Sequence, residues 1–140
     1  MRQVLLVSSE QATVSAVVSA MEPNGGLDKQ NILASLDDLA ARLEHGPAPA
    51  VLVDIDHDPK PTLIAIGSLS RRFASTRFIA VSAVLEAELL LLAMRCGVQN
   101  FLPKQTIAQD LKEVLSRVIS SPQILQKEGA MVAVLAAGGG

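Results

Sequence analysis

The sequence predicts an α/β fold: a doubly wound, five-stranded parallel sheet with helices on both faces. Short apolar runs without polar alternation, such as Ala50–Val53 and Arg77–Ser82, read as strands buried on both faces. Between them lie stretches with apolar residues at helical spacing, so strand and helix alternate along the chain. Polar residues follow three of the runs directly, at Asp54, Ser82 and Lys104. Strand ends on that edge of an open α/β sheet are where ligands bind.

Taken in order, Gln3–Val7 is an apolar opening strand, and Glu10–Met21 is a helix carrying Val14, Val17, Val18 and Met21 on one side. Pro23-Asn24-Gly25-Gly26 ends that helix with a turn. Leu27–Leu33 is a weak, polar strand suited to a sheet edge. Ser35 caps a helix running through Leu43, with Asp37 and Asp38 near its positive end. Gly46-Pro47-Ala48-Pro49 breaks the chain before the central strand, which runs into Asp54 and a loop reaching Pro61. Thr62–Phe73 is helical, with Leu63, Ile66, Leu69 and Phe73 on one side. Arg77–Ser82 is the fourth strand. Leu85–Cys96 is a helix closed by Gly97. Val98–Leu102 is the fifth strand, left through Pro103-Lys104. Gln105–Ser120 is a strongly amphipathic helix with Ile107, Leu111, Val114, Leu115, Val118 and Ile119 on its apolar face.

Composition narrows the function classes. A chain of 140 residues is long enough for one domain with a real core. The hydrophobic fraction of 49% and mean hydropathy of +0.37 are high for a free-standing domain, which leaves apolar surface for a partner. No run approaches the roughly 20 apolar residues of a membrane span, and the N-terminus lacks a signal-peptide pattern. The single cysteine, Cys96, excludes an internal disulfide and suits a reducing compartment. A net charge of -2 and 2% aromatic residues give no footprint for nucleic acid.

Right-handed crossovers bring Asp54, Ser82 and Lys104 to one edge of the sheet. On these residues, and on GVQNFLPK around Lys104, residues 1–121 resemble the receiver (CheY-like) domains of two-component signalling. The resemblance implies a flavodoxin-like sheet of order 2-1-3-4-5. It makes Asp54 the phosphoacceptor equivalent, Ser82 and Lys104 the phosphoryl-binding pair, and Phe101 the switch aromatic. The family's opening strand ends in two acidic residues that hold Mg²⁺; this chain has Ser8 and Ser9 there. Hydroxyls are neutral, weak ligands for a hard cation that favours carboxylate oxygens. Phosphoryl transfer to a carboxylate brings negative charge onto negative charge, which the metal normally neutralises. Glu10, Asp56 and Asp58 are the acids placed to rescue a metal site. Gln105 stands where receivers usually carry a proline, so the loop beside Lys104 is expected to be rebuilt.

Each residue also has a plainer role open to it. Asp54 can simply accept backbone N–H bonds or pair with Lys104, and Ser82 can cap the following helix. Asp54-Ile55-Asp56-His57-Asp58 begins like a calcium loop, but Pro59 replaces the glycine and Ala65 the glutamate, which excludes it. His45 and His57 lack partners at metal spacing. Cys96 reads as a core thiol.

Leu89, Leu90, Leu91 and Leu92 fan over most of a helix circumference, so at least one faces outward. In receivers the fourth helix, fifth strand and fifth helix form the partner surface, which makes this run the expected interface of a homodimer or a docked protein. Beyond the receiver-like region, residues 122–129 read as a linker and residues 130–140 as an apolar strand ending in Gly138, Gly139 and Gly140. A strand running into glycines is how a P-loop begins, although no lysine follows. A receiver-like domain ahead of such a start resembles the CpaE/TadZ pilus-assembly proteins, in which an atypical receiver precedes a ParA/MinD-like ATPase. That resemblance implies a cytoplasmic protein recruited to a cell pole.

The resulting expectation is a non-catalytic, pseudo-receiver interaction domain with no cofactor, whose partner is a protein or a second copy. The rival is a response-regulator receiver phosphorylated on Asp54, with Mg²⁺ held by Glu10, Asp56 or Asp58. A flavin binder is disfavoured by the absence of Trp and Tyr.

Overall fold

The computed structural model describes residues 4–22, 27–84, 86–98 and 100–120. The expected linker, the final apolar run and Gly138, Gly139 and Gly140 lie outside the described residues. In chain order the elements are β1 (Val4–Val7), α1 (Gln11–Met21), β2 (Ile32–Leu33), α2 (Leu36–His45), β3 (Ala50–Asp54), α3 (Pro59–Arg72), β4 (Arg77–Ser82), α4 (Ala87–Arg95), β5 (Asn100–Pro103) and α5 (Ile107–Ser120). All strand pairs are parallel, in the order β2-β1-β3-β4-β5. This is the doubly wound flavodoxin-like sheet expected from the sequence.

Strand residues alternate between two cores, which is why the strands show no polar alternation. Leu5, Val7, Val51, Val53, Phe78 and Ala80 pack with Leu39 and Leu43 of α2, Leu63 and Ile66 of α3, and Ala93 of α4. Val4, Leu6, Ala50, Leu52, Ile79 and Val81 pack on the other face with Val17 of α1 and Ile107, Leu111 and Val114 of α5. Burying both faces of β3 fixes its register, because a one-residue slip would exchange the two sets.

That register positions the site. Asp54 pairs with Val81, the next residue of β4 is Ser82, and Ser82 pairs with Pro103, directly before Lys104. The Ile55 N–H extends the ladder to the Val81 carbonyl at 3.1 Å. Asp54, Ser82 and Lys104 thus leave three adjacent strands at the same edge.

Several boundaries differ from the sequence reading. The second strand is only two residues long, because residues Lys29–Asn31 form a 3₁₀ turn. Arg42 holds that turn, donating to the Gln30 carbonyl at 2.8 Å and Asn31 Oδ1 at 2.6 Å. Helix α3 starts at Pro59 rather than Thr62, because the N–H that proline lacks has no intrahelical acceptor in the first turn, and its fixed φ suits a helix start. Strand β5 begins at Asn100 rather than Val98. Val98 instead completes the end of α4, donating to the Ala93 carbonyl at 2.9 Å while Gly97 N–H reaches Met94 at 3.2 Å. Gly97 takes φ +94° to make this closure. Ser35 caps α2, accepting from the Asp38 N–H at 3.2 Å.

Candidate functional site at the carboxyl edge of the sheet

Lys104 is the centre of the site. Its ammonium lies 3.0 Å from Asp54 Oδ2, 3.0 Å from Asp56 Oδ2 and 2.8 Å from Glu10 Oε1. The Asp54 and Lys104 side chains retain only 8% and 15% of their exposure. In such surroundings an ion pair is screened far less than one in bulk water. Three carboxylates share one ammonium. Burial pulls Lys104 towards its neutral form, but hydrogen bonds to Glu10, Asp54 and Asp56 outweigh it and raise the group well above the ordinary lysine range.

Asp54 leaves β3 with both oxygens engaged. Oδ1 accepts the Asp56 N–H at 3.1 Å, and Oδ2 accepts the Ser8 hydroxyl at 2.8 Å besides Lys104. Ser8 is buried and itself accepts the Glu10 N–H at 3.1 Å. Ser9 is exposed and lines the cleft. The expected weak-ligand pair therefore splits: Ser8 is a donor to Asp54, while Ser9 faces solvent.

Asp56 occupies a different set of donors. The Ser82 hydroxyl donates to Oδ1, and Oδ2 accepts the Ala83 N–H at 2.8 Å as well as Lys104. Burial opposes its ionisation, but the Ser82, Ala83 and Lys104 hydrogen bonds hold its carboxyl below the usual range. Ser82 bonds no helix terminus, since α4 begins only at Ala87 with Glu86 as its cap residue. It instead accepts the Val84 N–H at 3.0 Å, and besides Asp56 Oδ1 its hydroxyl has a second acceptor in reach, the Val84 carbonyl at 2.9 Å.

Glu10, at the cap position of α1, makes no capping bond with its side chain. Its carboxylate takes Lys104 and the Thr13 hydroxyl, which depress its pKa. Asp58 sits at the cap of α3 on the rim of the cleft, exposed and away from Lys104. Among the described residues no group of three or more His, Cys, Asp or Glu is arranged to hold a metal ion. The acids nearest the sheet edge converge on the Lys104 ammonium.

Gln105 is a contact that sequence reasoning missed. Its side-chain amide donates to the Ala83 carbonyl at 3.0 Å, tying the exit of β5 to the loop after β4. The departure from the receiver pattern at that position was the available signal. Residues Lys104–Thr106 form a 3₁₀ turn, so the loop beside the lysine is helical rather than extended. Phe101 is half-buried against the core under α3 and α4, together with Leu89 and Leu92. Leu90 is half-buried, and Leu91 is 58% exposed.

No protein-family model and no curated protein matches this sequence. Solved structures do match it. A response regulator from Thermotoga maritima superposes with TM-score 0.73 at 22% identity, covering 86% of this chain and 99% of that one. The CheY-like protein TadZ from Pseudomonas aeruginosa PAO1 gives TM-score 0.69 at 17% identity, covering 84% of this chain and 99% of that one. A pilus assembly protein, CpaE, from Burkholderia thailandensis E264 gives 0.62 at 22% identity, covering 83% and 99%. The fold of this chain is therefore the CheY-like receiver fold, shared with response regulators and with CpaE- and TadZ-type pilus assembly proteins.

Proposed function

We propose that this chain is a pseudo-receiver: a non-catalytic interaction domain that uses the receiver fold to bind a protein partner or a second copy of itself. The observation that carries the reading is Lys104, whose ammonium is already satisfied by Glu10, Asp54 and Asp56. A phosphoryl group arriving on Asp54 would meet those carboxylates, and Ser8 and Ser9 at the end of β1 offer no charge to hold the divalent ion that neutralises it. Structural similarity to the pilus assembly protein CpaE and the CheY-like TadZ supports a role in pilus assembly; a cytoplasmic place at a cell pole, ahead of a ParA/MinD-like ATPase domain, is what the sequence resemblance adds to this reading. The domain works without a cofactor.

The proposed contact surface is α4 with β5 and α5. Leu91 and Met94 are 58% and 62% exposed on α4, and Val84 before it is 52% exposed. Leu91 and Met94, three residues apart, share one face of α4, and exposed apolar side chains so placed favour a covered state. The rival, phosphorylation on Asp54 with Mg²⁺ held by Glu10, Asp56 or Asp58, is separated by mass. Incubated with a small phosphodonor and Mg²⁺, the chain keeps its intact mass under the pseudo-receiver reading. A gain of one phosphoryl group, lost in Asp54→Asn, overturns it. Sedimentation equilibrium tests the surface: the chain self-associates and Leu90→Glu or Leu91→Glu dissociates it, whereas a strict monomer at high concentration, unchanged by either substitution, removes this interface.

A further inference from the structure

The end of β4 and the exit of β5 build a cradle of three converging donors: the Ser82 hydroxyl, the Ala83 N–H and the Lys104 ammonium. Ser82 is fully buried, and the Val84 N–H at 3.0 Å fixes its oxygen in place. Hydroxyl, backbone N–H and ammonium facing the two oxygens of one carboxylate form a donor set suited to an oxyanion, and charge-assisted bonds of this kind are the strong ones. The cradle is filled from within. Asp56 Oδ1 takes the Ser82 hydroxyl, and Oδ2 takes Ala83 at 2.8 Å and Lys104 at 3.0 Å. The loop that delivers it is short and pinned, because the Asp56 N–H is bonded to Asp54 Oδ1 at 3.1 Å.

We infer that Asp56 is an internal oxyanion, a tethered carboxylate that occupies the cradle, closes it to free phosphate-like anions and fixes the loop at Ala83 and Val84 in its anion-bound arrangement. This rests on the reading of the domain as a receiver fold that works without phosphorylation, and adds how its loop is held without a signal. A ligand tethered through a short segment competes at an effective concentration in the millimolar range or above. Free phosphate must exceed that, and must also approach Asp54. Gln105 on the Ala83 carbonyl ties the same loop to the exit of β5, so loop and cradle move together.

The test is titration of inorganic phosphate into the full chain while the amide resonances of Ala83 and Val84 are followed by NMR. Wild type shows no saturable shift at these amides. Asp56→Ala empties the cradle, moves both amides, and gains a saturable phosphate response at least about tenfold stronger than wild type, as expected when a tethered competitor is removed. Asp56→Gly serves as a second opening variant, and the dispersion of the remaining amides reports that each variant is folded. Adding Ser82→Ala to Asp56→Ala abolishes the response. Equal responses in wild type and the opening variants, or none in a folded opening variant, overturn the internal oxyanion. Covalent gain of a phosphoryl group by wild type is a separate result, read by mass, that overturns the proposed function.

Discussion

Ser8 donates its hydroxyl to Asp54 Oδ2 at 2.8 Å, from the end of the opening strand. The hydroxyl solvates the aspartate as a neutral donor, where a carboxylate in the same place would repel it. The two residues are 46 positions apart, brought together by the parallel pairing of Val7 with Val53.

Ser8→Asp replaces that donor with a second negative charge beside a nearly buried carboxylate. Loss of the hydrogen bond with its partner left under-satisfied costs about 1–3 kcal/mol. Urea unfolding in a chelating buffer measures it. Added Mg²⁺ recovers part of the loss in Ser8→Asp and changes wild type little.

Lys104→Met removes the ammonium from Asp54, Asp56 and Glu10. Breaking a poorly solvated pair by deleting one partner costs about 3 kcal/mol at neutral pH. Without the ammonium the carboxylates repel one another, and the depressed folded pKa values of Asp56 and Glu10 rise. The deficit of Lys104→Met against wild type therefore shrinks as the pH falls towards about 4, where the unfolded carboxylates titrate. Denaturant midpoints for both proteins over the acid range check the sign.

Wild type behaves in the opposite sense. Asp56 and Glu10 have depressed folded pKa values, so their contribution is present above the unfolded values of about 4 and is lost as pH falls through the folded ones. Lys104 is raised, so its contribution is full below an unfolded value of about 10.4 and is lost only as pH climbs beyond it. Between about pH 5 and 10 the cluster adds a flat contribution to stability. Thermal melts across pH check the plateau and its acid edge.

Gly97→Ala tests the closure of α4. At φ +94° an added Cβ lies 2.9 Å from Ser70 Oγ, which already donates toward the Gly67 carbonyl at 3.0 Å and the Cys96 carbonyl at 3.2 Å. A non-glycine residue in this conformation costs about 1–3 kcal/mol. Equilibrium unfolding shows that loss, and the Lys104 cluster, which belongs to the opposite end of the strands, keeps its acid edge.

Leu91→Glu and Leu92→Glu separate surface from core on the same helix. Leu91 is 58% exposed within one protomer, so at protein concentrations below self-association its substitution leaves stability within about 0.5 kcal/mol, as for ordinary surface changes. Leu92 packs against the buried core, and a charge there costs several-fold more. Parallel denaturation curves distinguish them.

The sequence by itself determined the alternation of strands and helices, the buried central strand and the arrival of Asp54, Ser82 and Lys104 at one edge. Those features follow from hydrophobic periodicity and crossover handedness, which are local or topological. It also marked Ser8 and Ser9 as unfit to hold a cation. Only the tertiary structure decided which acid meets which donor. Asp56, two residues beyond Asp54, takes Ser82 and Ala83, and Glu10 turns from its helix cap to Lys104. Such choices depend on loop paths and side-chain reach over a few ångströms, set by the joint electrostatics of groups far apart in sequence, and periodicity carries no record of them.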